Sequence, residues 1–153
     1  MTGVAQTLAA STGGKVHVVV VGKGVSAAAA TLAHYGAHVV HVLDGDSGDR
    51  YNPHIWLAAA AGVAKSIAPS VVLATASPNG KDVLPRVAAR LGVDLAADCT
   101  SLEMKGGKLW ARRPFYAGKC FADVEWKGTG TQVASLRPNS FPVPAPTTGA
   151  TAE

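Results

Sequence analysis

Three runs rich in β-branched residues, Val16–Val21, Val39–Leu43 and Val71–Ala74, each stop at a polar or glycine turn and are followed by a segment of helical periodicity. A near-continuous apolar run of this length reads as a strand covered on both faces, and repeated strand–helix alternation implies right-handed crossovers and a parallel sheet. The pattern predicts an α/β fold: three layers, with a mostly parallel sheet flanked by helices.

The helices can be placed from their end signals. Val4–Ser11 has Val4 and Leu8 on one face and stops at Gly13-Gly14; Ser26–Tyr35 stops at Gly36. Asn52 is an N-cap with Pro53 at the first helical position, and that helix ends before Pro69. From Asn79 the chain is amphipathic, with Val83, Leu84, Val87, Ala88 and Leu91 at helical spacing, and Leu91-Gly92-Val93 leads into a short strand ending at Cys99-Thr100.

After Cys99 the rhythm changes. Ser101–Met104, Lys108–Arg113, Lys119–Trp126 and Thr131–Leu136 are short alternating segments separated by glycine turns, and they read as a C-terminal extension of antiparallel strands. Residues 138–153, rich in Pro, Ala and Thr, read as a linker or tail. Residues 1–137 therefore make one domain.

A net charge of +4 is spread from Lys15 to Arg137 without blocks or regular aromatic interleaving, which gives no sign of a nucleic-acid surface. No apolar run reaches the roughly 18 residues of a membrane-spanning helix, so no membrane insertion is expected. The opening residues carry neither a signal-type apolar block nor an Arg-rich presequence. That pattern fits a cytoplasmic protein in a bacterium, or a matrix protein in a mitochondrion.

Several constellations could carry chemistry. Gly22-Lys23-Gly24-Val25-Ser26 joins a strand to a helix, with Asp44 ending the next strand. Glycines there would let a backbone approach a pyrophosphate, with the helix N-terminus supplying N–H donors. Any strand-to-helix turn of this kind also uses Gly and Ser for positive φ and capping, so both readings stand. Ser77–Asp82 lacks the spacing of a phosphate loop and reads as a turn plus N-cap.

The five histidines show no metal-ligand spacing, and no metal site is expected. Cys99 and Cys120 have no recognisable base partner, and each reads as a small buried hydrophobe; no catalytic residue is assigned. Arg112, Arg113, Phe115, Tyr116 and Lys119 concentrate charge and aromatic rings around a turn. That is the composition of a protein contact surface, or of an ordinary hairpin with a basic edge.

Four segments, in order, are Gly80-Lys81-Asp82-Val83-Leu84-Pro85-Arg86-Val87-Ala88-Ala89, Asp98-Cys99-Thr100, Arg113-Pro114-Phe115-Tyr116-Ala117-Gly118 and Leu136-Arg137-Pro138-Asn139-Ser140-Phe141-Pro142. Their wording and spacing closely resemble the N-terminal domain of the electron transfer flavoprotein alpha subunit. The resemblance implies a Rossmann-like fold of the adenine nucleotide alpha hydrolase type. It also implies an alpha–beta heterodimer that takes electrons from flavin dehydrogenases, notably the acyl-CoA dehydrogenases of fatty acid β-oxidation, and passes them to a quinone oxidoreductase.

In such a complex FAD does the redox chemistry and is held chiefly by a C-terminal alpha domain, which the resemblance implies is absent from this chain. AMP is held by the beta subunit. No cofactor-binding residue is then expected here; Gly22, Gly24, Ser26 and Asp44 remain the alternative, a stand-alone nucleotide-binding protein. The resemblance further implies that the family's first strand is absent, and that Arg112–Lys119 faces a partner. Lys119 departs from the family, where Asn usually follows the Tyr-Ala-Gly turn.

Overall fold

The computed structural model describes residues 1–153. The chain runs α1 (Thr2–Thr12), β1 (His17–Gly22), α2 (Ser26–His34), β2 (Val39–Asp44), α3 (Pro53–Ile67), β3 (Val71–Thr75), α4 (Pro78–Leu91), β4 (Leu95–Cys99), β5 (Ser101–Lys105), β6 (Lys108–Phe115), β7 (Cys120–Glu125) and β8 (Gln132–Leu136). The α/β class holds: parallel strands flanked by helices, followed by an antiparallel sheet.

Local chemistry explains the boundaries. Asn52 accepts a hydrogen bond from the His54 N–H, with Pro53 opening α3. In α4 the N-cap is Ser77, whose hydroxyl accepts from the Gly80 N–H at 3.2 Å, so the helix starts at Pro78. Gly13 and Gly92 close α1 and α4 in the left-handed conformation, at φ 67° and 70°.

The parallel strands form two hydrogen-bonded groups, β1–β2 and β3–β8–β4. The last strand corrects the sequence reading. β8 is parallel and central, running beside both β3 and β4, and it does not belong to the antiparallel extension. The loop after β7 returns the chain to the start of β3, where Thr131 Oγ1 donates to Pro69 O and the Gln132 N–H donates to Ser70 O. All five residues of β8 are buried, a state that an edge position in the smaller sheet would not provide.

β8 is the hinge of the core. Val133 packs with Leu84 and Ala88 of α4, whereas Ala134 packs with Ala96, Leu109, Ala111 and Trp126 against the antiparallel sheet. The one buried amide between the sheets is used: Gln132 Oε1 accepts from the Leu109 N–H at 2.6 Å. This bond fixes the antiparallel sheet, β5–β6–β7, against the parallel one.

Residues 138–153 form no helix or strand, but they fold back on the domain. Thr147 N–H donates to His34 O, and Glu153 exchanges backbone hydrogen bonds with His38 and Val40 along the edge of β2.

Candidate functional site

The antiparallel sheet has an inner and an outer face. On β6 and β7, Leu109, Ala111 and Val124 point to the core, while Trp110, Arg112, Asp123 and Glu125 lie opposite one another on the outer face. Arg112 donates two hydrogen bonds to Asp123, at 2.7 and 2.9 Å, and this pairing holds the Asp123 carboxyl below its ordinary range. Lys105 sits 3.7 Å over the Trp110 ring.

The hairpin tip breaks this order. Tyr116, Ala117 and Gly118 take φ values of 48°, 56° and 87°, three successive left-handed residues of which two carry side chains. The turn projects Tyr116, 81% exposed, next in the chain to Phe115, and Phe121, 59% exposed, lies across from Pro114 at the start of β7. The Arg113 guanidinium lies 4.6 Å over the Phe115 ring, with its Nε buried and without a hydrogen-bond partner.

Of the residues expected at an interface, Phe115, Tyr116 and Lys119 gather at this tip, and Arg113 backs it. Arg112 is occupied by Asp123 one step down the hairpin. Phe121 and Cys120 were not anticipated. Cys120 pairs with Phe115 in register and is exposed, which corrects the expectation of two buried thiols.

Cys99 is fully buried, and burial pushes its thiol up to about 11. With a limiting maleimide reagent at neutral pH, the native protein should therefore label once, at Cys120. Cys99 should label only in denaturant, and stoichiometric native labelling of both thiols would contradict this placement.

A second polar cluster sits at the carboxyl ends of β4 and β8. Asp98 adopts φ 61°, its N–H donates to Ser135 Oγ, and its carboxylate accepts from Arg137 Nη2 at 2.6 Å. The Arg137 hydrogen bond holds the Asp98 carboxyl below the usual carboxylate range, with Lys81 and Arg113 adding to the effect. A carboxyl with a lowered folded pKa adds stability above its unfolded value of about 3.9, and that stability is lost as pH falls through the folded value.

Asp98→Asn tolerates the left-handed backbone but removes the charge. The variant should melt below the wild type at pH 7, and the gap should close as the medium is acidified below the lowered Asp98 pKa. A gap independent of pH, measured by thermal melts from pH 7 to 2, would assign the loss to something other than the ion pair.

The backbone donors of the Gly22–Ser26 turn face the Asp44 carboxylate. Gly24 N–H donates to Asp44 at 2.7 Å, and Ser26 donates to the same carboxylate through its N–H at 3.0 Å and its hydroxyl at 2.5 Å. The Ser26 hydroxyl and these N–H groups hold the Asp44 carboxyl below its ordinary range. The donors that a pyrophosphate would need already face an anion, and the Gly22 backbone packs against Gly48. These residues do not fit an FAD pyrophosphate.

The histidines are less dispersed than the sequence suggests. His17 Nδ1 and His41 Nε2 lie 3.0 Å apart, with the rings stacked at 5.3 Å, and burial lowers the His17 pKa with His41 adding to it. Nothing else joins them: no group of three or more His, Cys, Asp or Glu side chains is placed to hold a metal ion. No helix is long and apolar enough to cross a membrane.

Together these features define a Rossmann-like α/β domain carrying an antiparallel sheet with a strained, aromatic tip. The electron transfer flavoprotein domain family matches residues 2–153, and the chain belongs to that family. It is similar to the electron transfer flavoprotein subunit alpha of Syntrophomonas wolfei, 36% identical over 126 residues, covering 82% of this chain and 39% of the relative. The corresponding subunit of Thermoanaerobacterium thermosaccharolyticum is 33% identical over 137 residues, covering 89% of this chain and 42% of that one.

A lactate dehydrogenase (NAD(+),ferredoxin) subunit LctC from Acetobacterium woodii is 31% identical over 145 residues, 94% of this chain and 35% of the relative. The chain thus spans about two-fifths of the length of the curated relatives it matches. It is an alpha-subunit-like electron transfer domain.

Proposed function

We propose that residues 1–137 serve as the docking and scaffolding module of an electron transfer flavoprotein alpha subunit, with 138–153 as the link to the rest of the complex. The module packs against a beta subunit through the β6–β7 tip and supports an FAD-holding domain. The assembled complex accepts electrons from flavin dehydrogenases, acyl-CoA dehydrogenases among them, and delivers them to a quinone oxidoreductase. FAD supplies the redox chemistry when bound in that complex, and AMP belongs to the beta subunit. This chain's own residues present a contact surface and hold the antiparallel sheet at a fixed angle to the parallel one.

The observation that carries this reading is the tip. Tyr116 stands exposed on a backbone held in the left-handed conformation, and Phe121, at the start of β7, is exposed as well. Strain persists where the surrounding structure enforces it, and such outliers gather at functional surfaces. A nucleotide-binding role for the Gly22–Ser26 turn gains no such support, because Asp44 competes for its donors.

Co-purification tests the proposal. The chain alone should be colourless. Mixed with a family beta subunit, an FAD-holding alpha domain and FAD, it should elute in one yellow complex. Tight FAD retention by the isolated chain, or a yellow complex that excludes it, would overturn the reading.

A further inference from the structure

Glu153 joins the β1–β2 sheet. Its N–H donates to His38 O at 3.1 Å and its carbonyl accepts from the Val40 N–H at 2.8 Å, the bond pattern of a parallel pair, which sets Glu153 opposite Val39. Val39 is in turn the register partner of His17, and Val19 that of His41. Neighbours in one lateral row share a face of a sheet, and so do residues two apart along a strand. One face therefore carries His17, His41 and Glu153 together.

The segment leading to Glu153 is laid over the domain. The Pro144 ring packs on Gly3 of α1, 3.0 Å from where a Cβ would stand, and Thr147 N–H donates to His34 O at 2.8 Å, where α2 ends. Residues 144–153 thus form a strap from α1 to the open edge of β2. Three backbone hydrogen bonds attach it to α2 and β2. An attachment this slight responds to a single added charge.

The histidine pair can supply that charge. His17 Nδ1 and His41 Nε2 are 3.0 Å apart, so one ring donates and the other accepts. A first added proton, taken up at the outward nitrogen of the donor ring, leaves this bond in place and charge-assisted. A second would set two N–H groups against each other. The pair has room for one added charge and not for two.

The surrounding charges decide what that proton does. Lys15 precedes β1, and His38 Nδ1 accepts from the Val16 N–H at 2.9 Å. α1 has no charged side chain, α2 has only His34, and the His54 and Lys65 side chains of α3 are exposed. Burial lowers the His17 pKa, His41, Lys15 and His38 lower it further, and Glu153 alone raises it. Linkage makes the last effect reciprocal: a carboxylate that favours the proton on His17 is itself held more firmly when the proton is there.

We propose that residues 144–153 are a proton-linked strap: an added proton on the His17–His41 pair draws the Glu153 carboxylate onto the shared face and tightens the strap on the edge of β2. Tightening sets in below the ordinary histidine value of about 6.5. The domain as a whole responds in the opposite sense. A histidine whose folded pKa is lowered contributes stability above its unfolded value, and this is lost as pH falls through the folded value.

Amide hydrogen exchange at Val40, divided by the intrinsic chemical rate, tests the strap at about pH 7.5 and about pH 5, both above the ordinary carboxylate range. Protection should rise about two- to fivefold on acidification, the scale of one exposed charge pair, while protection of the β8 amides does not rise. Glu153→Gln and His17→Gln should each abolish the rise. In Glu153→Gln the ring-proton NMR titration of His17 should also move further down. The chain with Gly-Ser-Gly appended should keep the rise, because the charge involved is the Glu153 side chain.

Flat or falling protection at Val40 in the wild type would overturn the proposal. So would a rise that survives in either variant, which would assign it to His38, or one shared equally by β8, which would assign it to the whole domain. Loss of the rise in the extended chain would assign it to the terminal carboxylate and overturn the role of the Glu153 side chain.

Discussion

Gly80→Ala lowers the unfolding free energy by about 2–3 kcal/mol, the usual cost of forcing an atom into a packed site. In a domain of this size that is a fall of roughly 5–10 °C in melting temperature. Helix propensity alone predicts the opposite sign, since alanine inside a helix is favoured over glycine by about 1 kcal/mol. Packing decides. A Cβ at position 80 would lie 1.9 Å from the carbonyl oxygen of Thr75, a backbone atom at the end of β3 that has no rotamer to escape through.

The control is Gly62→Ala in α3, exposed and with nothing within 4 Å of the added carbon, which should stabilise the fold by about 1 kcal/mol. Chemical denaturation of the two variants should therefore move in opposite directions. Parallel shifts would mean that α4 does not meet β3 as described.

The Gly80 contact also shows how far the sequence could be read. The amphipathic pattern of Val83, Leu84, Val87 and Ala88 gives α4 its buried face, and Asn52-Pro53 gives α3 its start, because these signals are local. That Gly80 touches Thr75 is a tertiary fact, invisible in a pattern that any helix start could show.

β8 illustrates the same divide. Gln132–Leu136 is a short run between Gly130 and Pro138 and reads alike in either direction. Its parallel, central placement depends on where the loop returns the chain, beside Pro69 and Ser70. Gln132 was the available clue: an amide within an otherwise apolar, buried strand needs a partner, and Leu109 N–H provides it. At the tip, Phe115 and Tyr116 were legible from composition around a turn. Phe121 could have been found as well, since it stands in phase with Asp123 and Glu125, the outward positions of β7.

The double variant Tyr116→Ala/Phe121→Ala should weaken association with a family beta subunit about 30-fold or more, the scale of losing a residue pair that anchors an interface. Both side chains are exposed in the free domain, so removing them costs little of its own packing, and the melting temperature should stay within about 2 °C of the wild type. Arg90→Ala, on the exposed side of α4, should leave binding unchanged. The pairing of these readouts separates docking from folding, because a variant that loses affinity while keeping its melting point has lost a contact and not a scaffold. Titration calorimetry with the beta subunit measures the first and a thermal melt the second. Wild-type affinity in the double variant would move the docking surface away from the β6–β7 tip and leave the strained Tyr116–Gly118 turn without a role in assembly.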